Sequence, residues 1–252
     1  MDSSDYLAQL RREFDAFEAC LSGDLSTPIE HCGDWTLYDL ADHLGRGNLW
    51  AAAAVTEKRG NHQSPPAPRA STELVTWFKG TSAALLTALD TDPATDAWTF
   101  FPPHTVGFWQ RRRCLETLVH RWDAEHALGI PSEVDPVLAG DGIAEVIDTM
   151  VPLQIKRGRL SAPAHPIRFT ATDLSTGTGT ATGSWILGPG DPITTDRITT
   201  DRITADPVAT VSGPAAALLL MLWGRLPHDD QAITWDGHRA AAEAALNSPL
   251  VP

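Results

Sequence analysis

The sequence predicts an α+β protein of more than one domain: a four-helix bundle over residues 1–131, then a small α+β domain over residues 132–252. Two observations predict it. Four long segments before Gly129-Ile130-Pro131 carry apolar residues at helical spacing, and beyond that point the composition turns to Thr, Gly and β-branched residues separated by glycine turns. A length of 252 residues lies near the limit of one hydrophobic core, which suits a division into two.

Tyr6, Leu7, Leu10, Phe14, Phe17 and Leu21 place the first helix, with Gly23 as its stop. A second helix starts after Asp34 and turns Leu37, Leu40, Ala41, Leu44 and Ala51 inward, with His43 inside it. Gly60 to Ala70 reads as a loop, and Ser71-Thr72-Glu73 opens a third helix through Leu74, Trp77, Phe78, Leu85 and Leu89. After a loop with Pro93, Pro102 and Pro103, the fourth helix runs from about Phe108 to Leu128 and ends at a glycine followed by proline. Four such helices describe an antiparallel bundle whose core can hold a metal.

Beyond Pro131, a short helix is expected over Gly142 to Met150, then strands over Ile167 to Thr172 and Gly183 to Leu187. Ile193, Ile198, Ile203 and Val208 recur every five residues in the near-repeat Ile-Thr-Thr-Asp-Arg. An odd period sends successive apolar groups to opposite faces of a strand, so a hairpin or expanded loop fits better than one half-buried strand. Pro214 starts an apolar helix, Ala215 to Trp223, closed by Gly224-Arg225.

A net charge of −13 repels nucleic acid and anionic lipid, and Arg111-Arg112-Arg113 is too short to form a basic patch against it. The three cysteines, Cys20, Cys32 and Cys114, are odd in number and widely spaced, which suits reduced cytosolic thiols. The acidic start carries no signal-peptide pattern, and the longest apolar run is too short for a bilayer. No nucleic-acid or membrane partner is expected, and the expected location is cytoplasmic.

Glu116 and His120 stand four residues apart, on one helix face, so both heads can converge on a single ion. Adding His43 from another helix gives a set of two imidazoles and one carboxylate that leaves a divalent metal an open position for chemistry. Plainer readings fit the same letters. Arg112 stands four before Glu116, so a surface ion-pair ladder would account for the glutamate, and a histidine among apolar neighbours is ordinarily a hydrogen-bonded core residue. Spacing alone leaves both open.

Two long stretches resemble one family. His31-Cys32-Gly33-Asp34-Trp35-Thr36-Leu37-Tyr38-Asp39-Leu40-Ala41-Asp42-His43-Leu44 is similar to a pattern Cys-Pro-Gly-Trp-Thr, then Asp-Leu, then His-Leu. Glu116-Thr117-Leu118-Val119-His120-Arg121-Trp122-Asp123-Ala124 is similar to Glu-x-x-x-His-Arg-x-Asp-Ala. Gly142-Ile143-Ala144-Glu145-Val146 and the run Gly213 to Arg225 resemble the second domain of the same proteins. The family is that of the mycothiol-dependent maleylpyruvate isomerases. The resemblance implies a DinB-like metal-binding bundle followed by a small, SCP2-like α+β domain. Departures are the missing proline in Cys32-Gly33-Asp34-Trp35 and the Ile-Thr-Thr-Asp-Arg expansion.

Carried over by position, the resemblance puts the metal ligands on His43, Glu116 and His120. Zinc is the first choice for such a set, with nickel or iron(II) able to use it. Asp39 and Asp123 either orient the imidazoles or simply solvate a helix surface. The implied cosubstrate is mycothiol, whose thiolate adds to an activated double bond of a small unsaturated acid, which then rotates and expels the thiol. Retention of the thiol instead would make the protein an S-transferase acting on an electrophile, and a noncatalytic metal-binding or ligand-sensing role is the reading from another class. Arg225 is the candidate for gripping a substrate carboxylate, although a helix C-terminus also welcomes a cation structurally. Arg46 and Arg113 are weaker candidates. Cys20 and Cys114 read as inert buried thiols, Cys32 as the one worth testing, and His104, His126, His165, His228 and His238 as surface histidines.

Overall fold

A computed structural model describes residues 2–174, 183–189 and 206–251. The chain forms two compact units, Met1–Glu133 and Val134–Pro252.

The first unit contains α1 (Ser3–Cys20), α2 (Leu37–Thr56), α3 (Ser71–Leu89) and α4 (Val106–Ala127). Helix α1 packs on α4, and α2 on α3. Asp2 and Thr36 cap α1 and α2, each in a reciprocal box with the aspartate three residues on, Asp5 and Asp39. Helix α3 begins at Ser71 as expected, but its cap position, Ala70, offers no side-chain hydrogen bond. The predicted inner stripe of α2, Leu37, Leu40, Ala41, Leu44 and Ala51, is fully buried. Phe14, Phe17 and Phe78 meet between α1 and α3. Trp50, Trp98, Phe100, Phe108 and Trp109 form a second aromatic cluster, fixed by hydrogen bonds from Trp50 Nε1 to Gly60 O and from Trp109 Nε1 to Trp98 O.

Two glycines inside α2 bring neighbours unusually close. A Cβ on Gly45 would lie 2.3 Å from the Trp77 ring, and one on Gly47 would lie 2.9 Å from Arg113 Nη1. Glycine costs a helix interior about 1 kcal/mol against alanine, so these two positions give up helix stability for access by a large ring and a guanidinium.

In the second unit, α5 (Pro136–Glu145) starts earlier than the expected Gly142. Asp135 caps it through Leu138 N–H at 2.9 Å, and Pro136 occupies the first turn, where its missing N–H costs nothing. The helix then widens into a π turn, Val146–Met150, and continues as α6 (Val151–Lys156). Pro152 lies just beyond the widened turn, where it can offer no amide to the preceding turn of helix. Four strands follow, β1 (Ile167–Ala171), β2 (Ser184–Leu187), β3 (Ala209–Gly213) and β4 (Thr234–Gly237), in the sheet order β2-β1-β3-β4. The β1–β3 pair is parallel, with Phe169 opposite Val211, and the outer pairs are antiparallel. Helix α7 (Ala215–Leu222) follows β3, and α8 (Arg239–Leu246) follows β4. Gly224, at φ +70, ends α7 as predicted, with its N–H to Met221 O and that of Arg225 to Leu220 O. The sequence places none of α6, β3, β4 and α8. Ile193, Ile198 and Ile203 of the near-repeat lie outside the described residues, and Val208 immediately precedes β3. Among the described residues no helix is long and apolar enough to cross a membrane.

Candidate functional site

The site is built on facing sides of α2 and α4. His43 sits about two turns after the capped start of α2, and Glu116 and His120 lie one turn apart on α4. The structure brings all three together. One donor atom from each lies within 4.8 Å of the others, and His43 Nε2 is 3.3 Å from Glu116 Oε1. The rings of His43 and His120 meet edge to face, with centroids 5.1 Å apart.

Glu116 and His120 are each held by further groups. Glu116 divides its oxygens: Oε1 faces His43, while Oε2 accepts from Arg113 Nη1 at 2.5 Å and lies 3.5 Å from Arg112 Nη2. Arg113 also donates to Leu44 O and to Asn48 Oδ1 on α2, across the gap that Gly47 leaves. Burial pulls the Glu116 carboxyl upward, but the Arg113 and Arg112 guanidiniums, with His43, outweigh it and hold it well below the usual carboxylate range. Glu116 is therefore an anion at neutral pH. Burial pushes His120 below its ordinary value despite the opposing hydrogen bond to Asp123, so its imidazole is neutral. Since a carboxylate only accepts, His120 Nδ1–H donates to Asp123 Oδ2 at 3.0 Å, which directs the lone pair to Nε2.

Asp123 is 2 % exposed, so its place is behind His120 and not on a solvated helix surface. Asp39, by contrast, spends its carboxylate on the α2 cap, accepting from Thr36 N–H at 2.9 Å and Thr36 Oγ1 at 2.7 Å, and does not orient His43. The ladder of Arg112 and Glu116 exists, but it is no surface feature: Arg112 is 5 % exposed and Arg113 2 %. Arg113 grips a protein carboxylate, and Arg46 pairs with Asp42 at 3.3 Å.

Cys20 and Cys114 are buried, and burial pushes the Cys20 thiol up to about 11, which makes it inert. Cys32 is half-buried, with its Sγ 3.6 Å from Asp123 Oδ2. Trp35, three residues on, lays its ring 4.9 Å from that of His43. Of the remaining histidines, His104 Nδ1 bonds to Thr99 Oγ1 at 2.7 Å and His126 stacks on Trp122.

Arg225 belongs to the second unit. It lines a cavity of about 560 Å³ with Trp223, His228, Leu246, Asn247 and Val251. Its guanidinium donates to Trp223 O at 2.8 Å and lies over the Trp223 ring at 5.5 Å.

The donor set suits a divalent cation. A tetrahedral zinc site with bonds of about 2.0–2.1 Å has donor separations of about 3.3 Å, and the His43–Glu116 separation is 3.3 Å. One donor is anionic, one imidazole is neutral, and a carboxylate backs the latter through its other nitrogen, the usual support of a metal-bound histidine.

None of the curated proteins matches this sequence. Residues 7–125 match the domain family "Mycothiol maleylpyruvate isomerase N-terminal domain", and residues 137–244 match the "MDMPI C-terminal domain". The fold is similar to the crystal structure of a mycothiol-dependent maleylpyruvate isomerase, with a TM-score of 0.60 at 14% identity, over 94% of this chain and 93% of that one. A histidine-to-alanine mutant of the mycothiol-dependent maleylpyruvate isomerase matches equally well. With both of its domains matched in order, this chain belongs to the mycothiol-dependent maleylpyruvate isomerase family.

Proposed function

We propose that the chain is a metal- and thiol-dependent enzyme that uses mycothiol to isomerise a small, maleylpyruvate-like unsaturated acid from cis to trans. The convergence of His43, Glu116 and His120 within 4.8 Å carries this reading. Zinc is the proposed ion, with nickel or iron(II) able to use the same donors. A bound divalent ion with an open position would supply the acidity that keeps a thiol as thiolate at neutral pH.

The chain's own residues prepare that position. Arg113 and Arg112 keep Glu116 ionised and aim Oε1 at His43. Asp123 holds the Nδ1 proton of His120 and so fixes which nitrogen is offered. The Trp35 ring walls one side of His43. In the proposed reaction the mycothiol sulfur bonds to one alkene carbon, and the π pair moves onto the conjugated carbonyl as an enolate. The resulting single bond rotates. The enolate pair then restores the alkene and the carbon–sulfur bond breaks, so thiol and substrate atoms balance with no net redox change. Arg225 is the proposed holder of a substrate carboxylate, on the strength of its place in the wall of the second unit's cavity. The proposed setting is the cytoplasm, where small thiols stay reduced.

The test is turnover by purified protein of maleylpyruvate with mycothiol, before and after chelation. Thiol-dependent isomerisation that chelator abolishes is the expected result. A stable thiol conjugate would assign an S-transferase instead, and bound metal without either product would assign a noncatalytic ion-binding protein.

A further inference from the structure

We propose that Cys32, Asp123 and Nδ1 of His120 form a second cation position, for a thiophilic divalent ion, which competes with the first position for the His120 ring. It goes beyond the proposed isomerase reading and does not depend on it. Donor atoms of the three residues lie within 4.8 Å of one another. The Sγ–Oδ2 and Nδ1–Oδ2 separations, 3.6 Å and 3.0 Å, bracket the donor spacing of about 3.3–3.6 Å expected around a tetrahedral zinc with one sulfur ligand.

The loop after α1 sets this up. Ile29 N–H bonds to Trp35 O at 2.8 Å, Cys32 N–H to Ile29 O at 3.1 Å and Trp35 N–H to Cys32 O at 3.3 Å. Gly33 turns at φ +63, a conformation that glycine adopts without strain. The loop thereby delivers the Cys32 thiol to the carboxylate behind His120 and the Trp35 ring to His43. Asp123 and His120 are more than nine-tenths buried, whereas Cys32 is half-buried and gives an ion a way in from solvent.

The competition follows from the tautomers of one ring. When Nδ1–H bonds to Asp123, Nε2 is offered to the position shared with His43 and Glu116. A cation bound by Cys32 and Asp123 takes Nδ1, the ring keeps its proton on Nε2, and the thiol proton leaves to solvent. His43 and Glu116 then lose their third donor. A thiolate in the set selects soft ions, so zinc in excess or cadmium occupies it and hard cations do not.

Cadmium titration of the full chain, followed by the ultraviolet thiolate-to-cadmium absorption band, tests this. The band is expected to saturate at a single ion per chain, to vanish in Cys32→Ser and to persist in His43→Ala. The cadmium NMR shift of the unaltered protein should report one sulfur among nitrogen and oxygen donors, which keeps the test valid should a variant misfold. No band, a band surviving in Cys32→Ser, or a band lost in His43→Ala would each overturn the proposal. Failure of the isomerase reading would leave these outcomes unchanged.

Discussion

Helices α4 and α7 are both buried, each in its own unit, but from opposite materials. Helix α7 reads AAALLLML and buries only apolar side chains. Helix α4 buries Arg112, Arg113, His120, Arg121, Asp123 and Glu125 beside its apolar residues. Burying a charge costs several kcal/mol unless it is paired, and each buried charge on α4 for which partners are described is met by opposite charge or hydrogen bonds. Arg121 alone bonds to Glu13, Glu125, Ser132 Oγ and Glu133 O. Apolar burial would stabilise such a helix at less risk. Helix α7 is therefore packing, while α4 holds a set of ionised groups in place, at the site and beside it.

The contrast is broken most directly at Glu116. Glu116→Ala leaves Arg113 and Arg112 facing each other without their carboxylate, and the expected loss is about 4 kcal/mol in denaturant unfolding of the first unit, together with loss of bound metal. Leu218→Ala on α7 removes a fully buried side chain and should cost about 3 kcal/mol by the cavity it leaves. Metal content measured on the same sample should not change. If Leu218→Ala released metal as Glu116→Ala does, the division of roles between the helices would fall.

How much of this could be read from the letters depends on range. Helices α1 to α4 were legible because a 3.6-residue period survives whatever they pack against. Spacing placed Glu116 and His120 on one face, and the resemblance of flanking residues added His43. What spacing could not show was which face is buried: Arg112 and Glu116 look the same in an exposed ladder as in a buried clamp. Whether Asp123 orients His120 or solvates a helix surface stays open in the letters for that reason, and its contact with Cys32 spans 91 positions of sequence. Asp39 was visible as half of a capping box with Thr36, a local signal that accounts for it without the site. Asp135-Pro136 is likewise a local helix-start signal that the expected start at Gly142 passes over, and the letters Gly45 and Gly47 do not show what those positions admit.

Asp123 sharpens the comparison with a smaller effect. Asp123→Asn keeps the shape but offers His120 a neutral partner, and metal affinity by competition with a chelator should fall by roughly 10- to 100-fold. Circular dichroism should show the helices intact. An unchanged affinity would reduce Asp123 to a packing residue.

The smallest test uses a pair of glycines. Gly80 on α3 has nothing within 4 Å of where a Cβ would stand, so Gly80→Ala should stabilise the first unit by about 1 kcal/mol through helix propensity alone. Gly47→Ala earns the same propensity but puts a methyl 2.9 Å from Arg113 Nη1. That guanidinium cannot simply swing away, because Leu44 O, Asn48 Oδ1 and Glu116 Oε2 all hold it. Gly47→Ala should therefore gain no stability and should weaken metal binding by loosening Glu116, whereas Gly80→Ala leaves binding alone. Equal stabilisation by both substitutions would mean that the Arg113 clamp yields freely, and the case for α4 as a rigid frame for the site would fail with it.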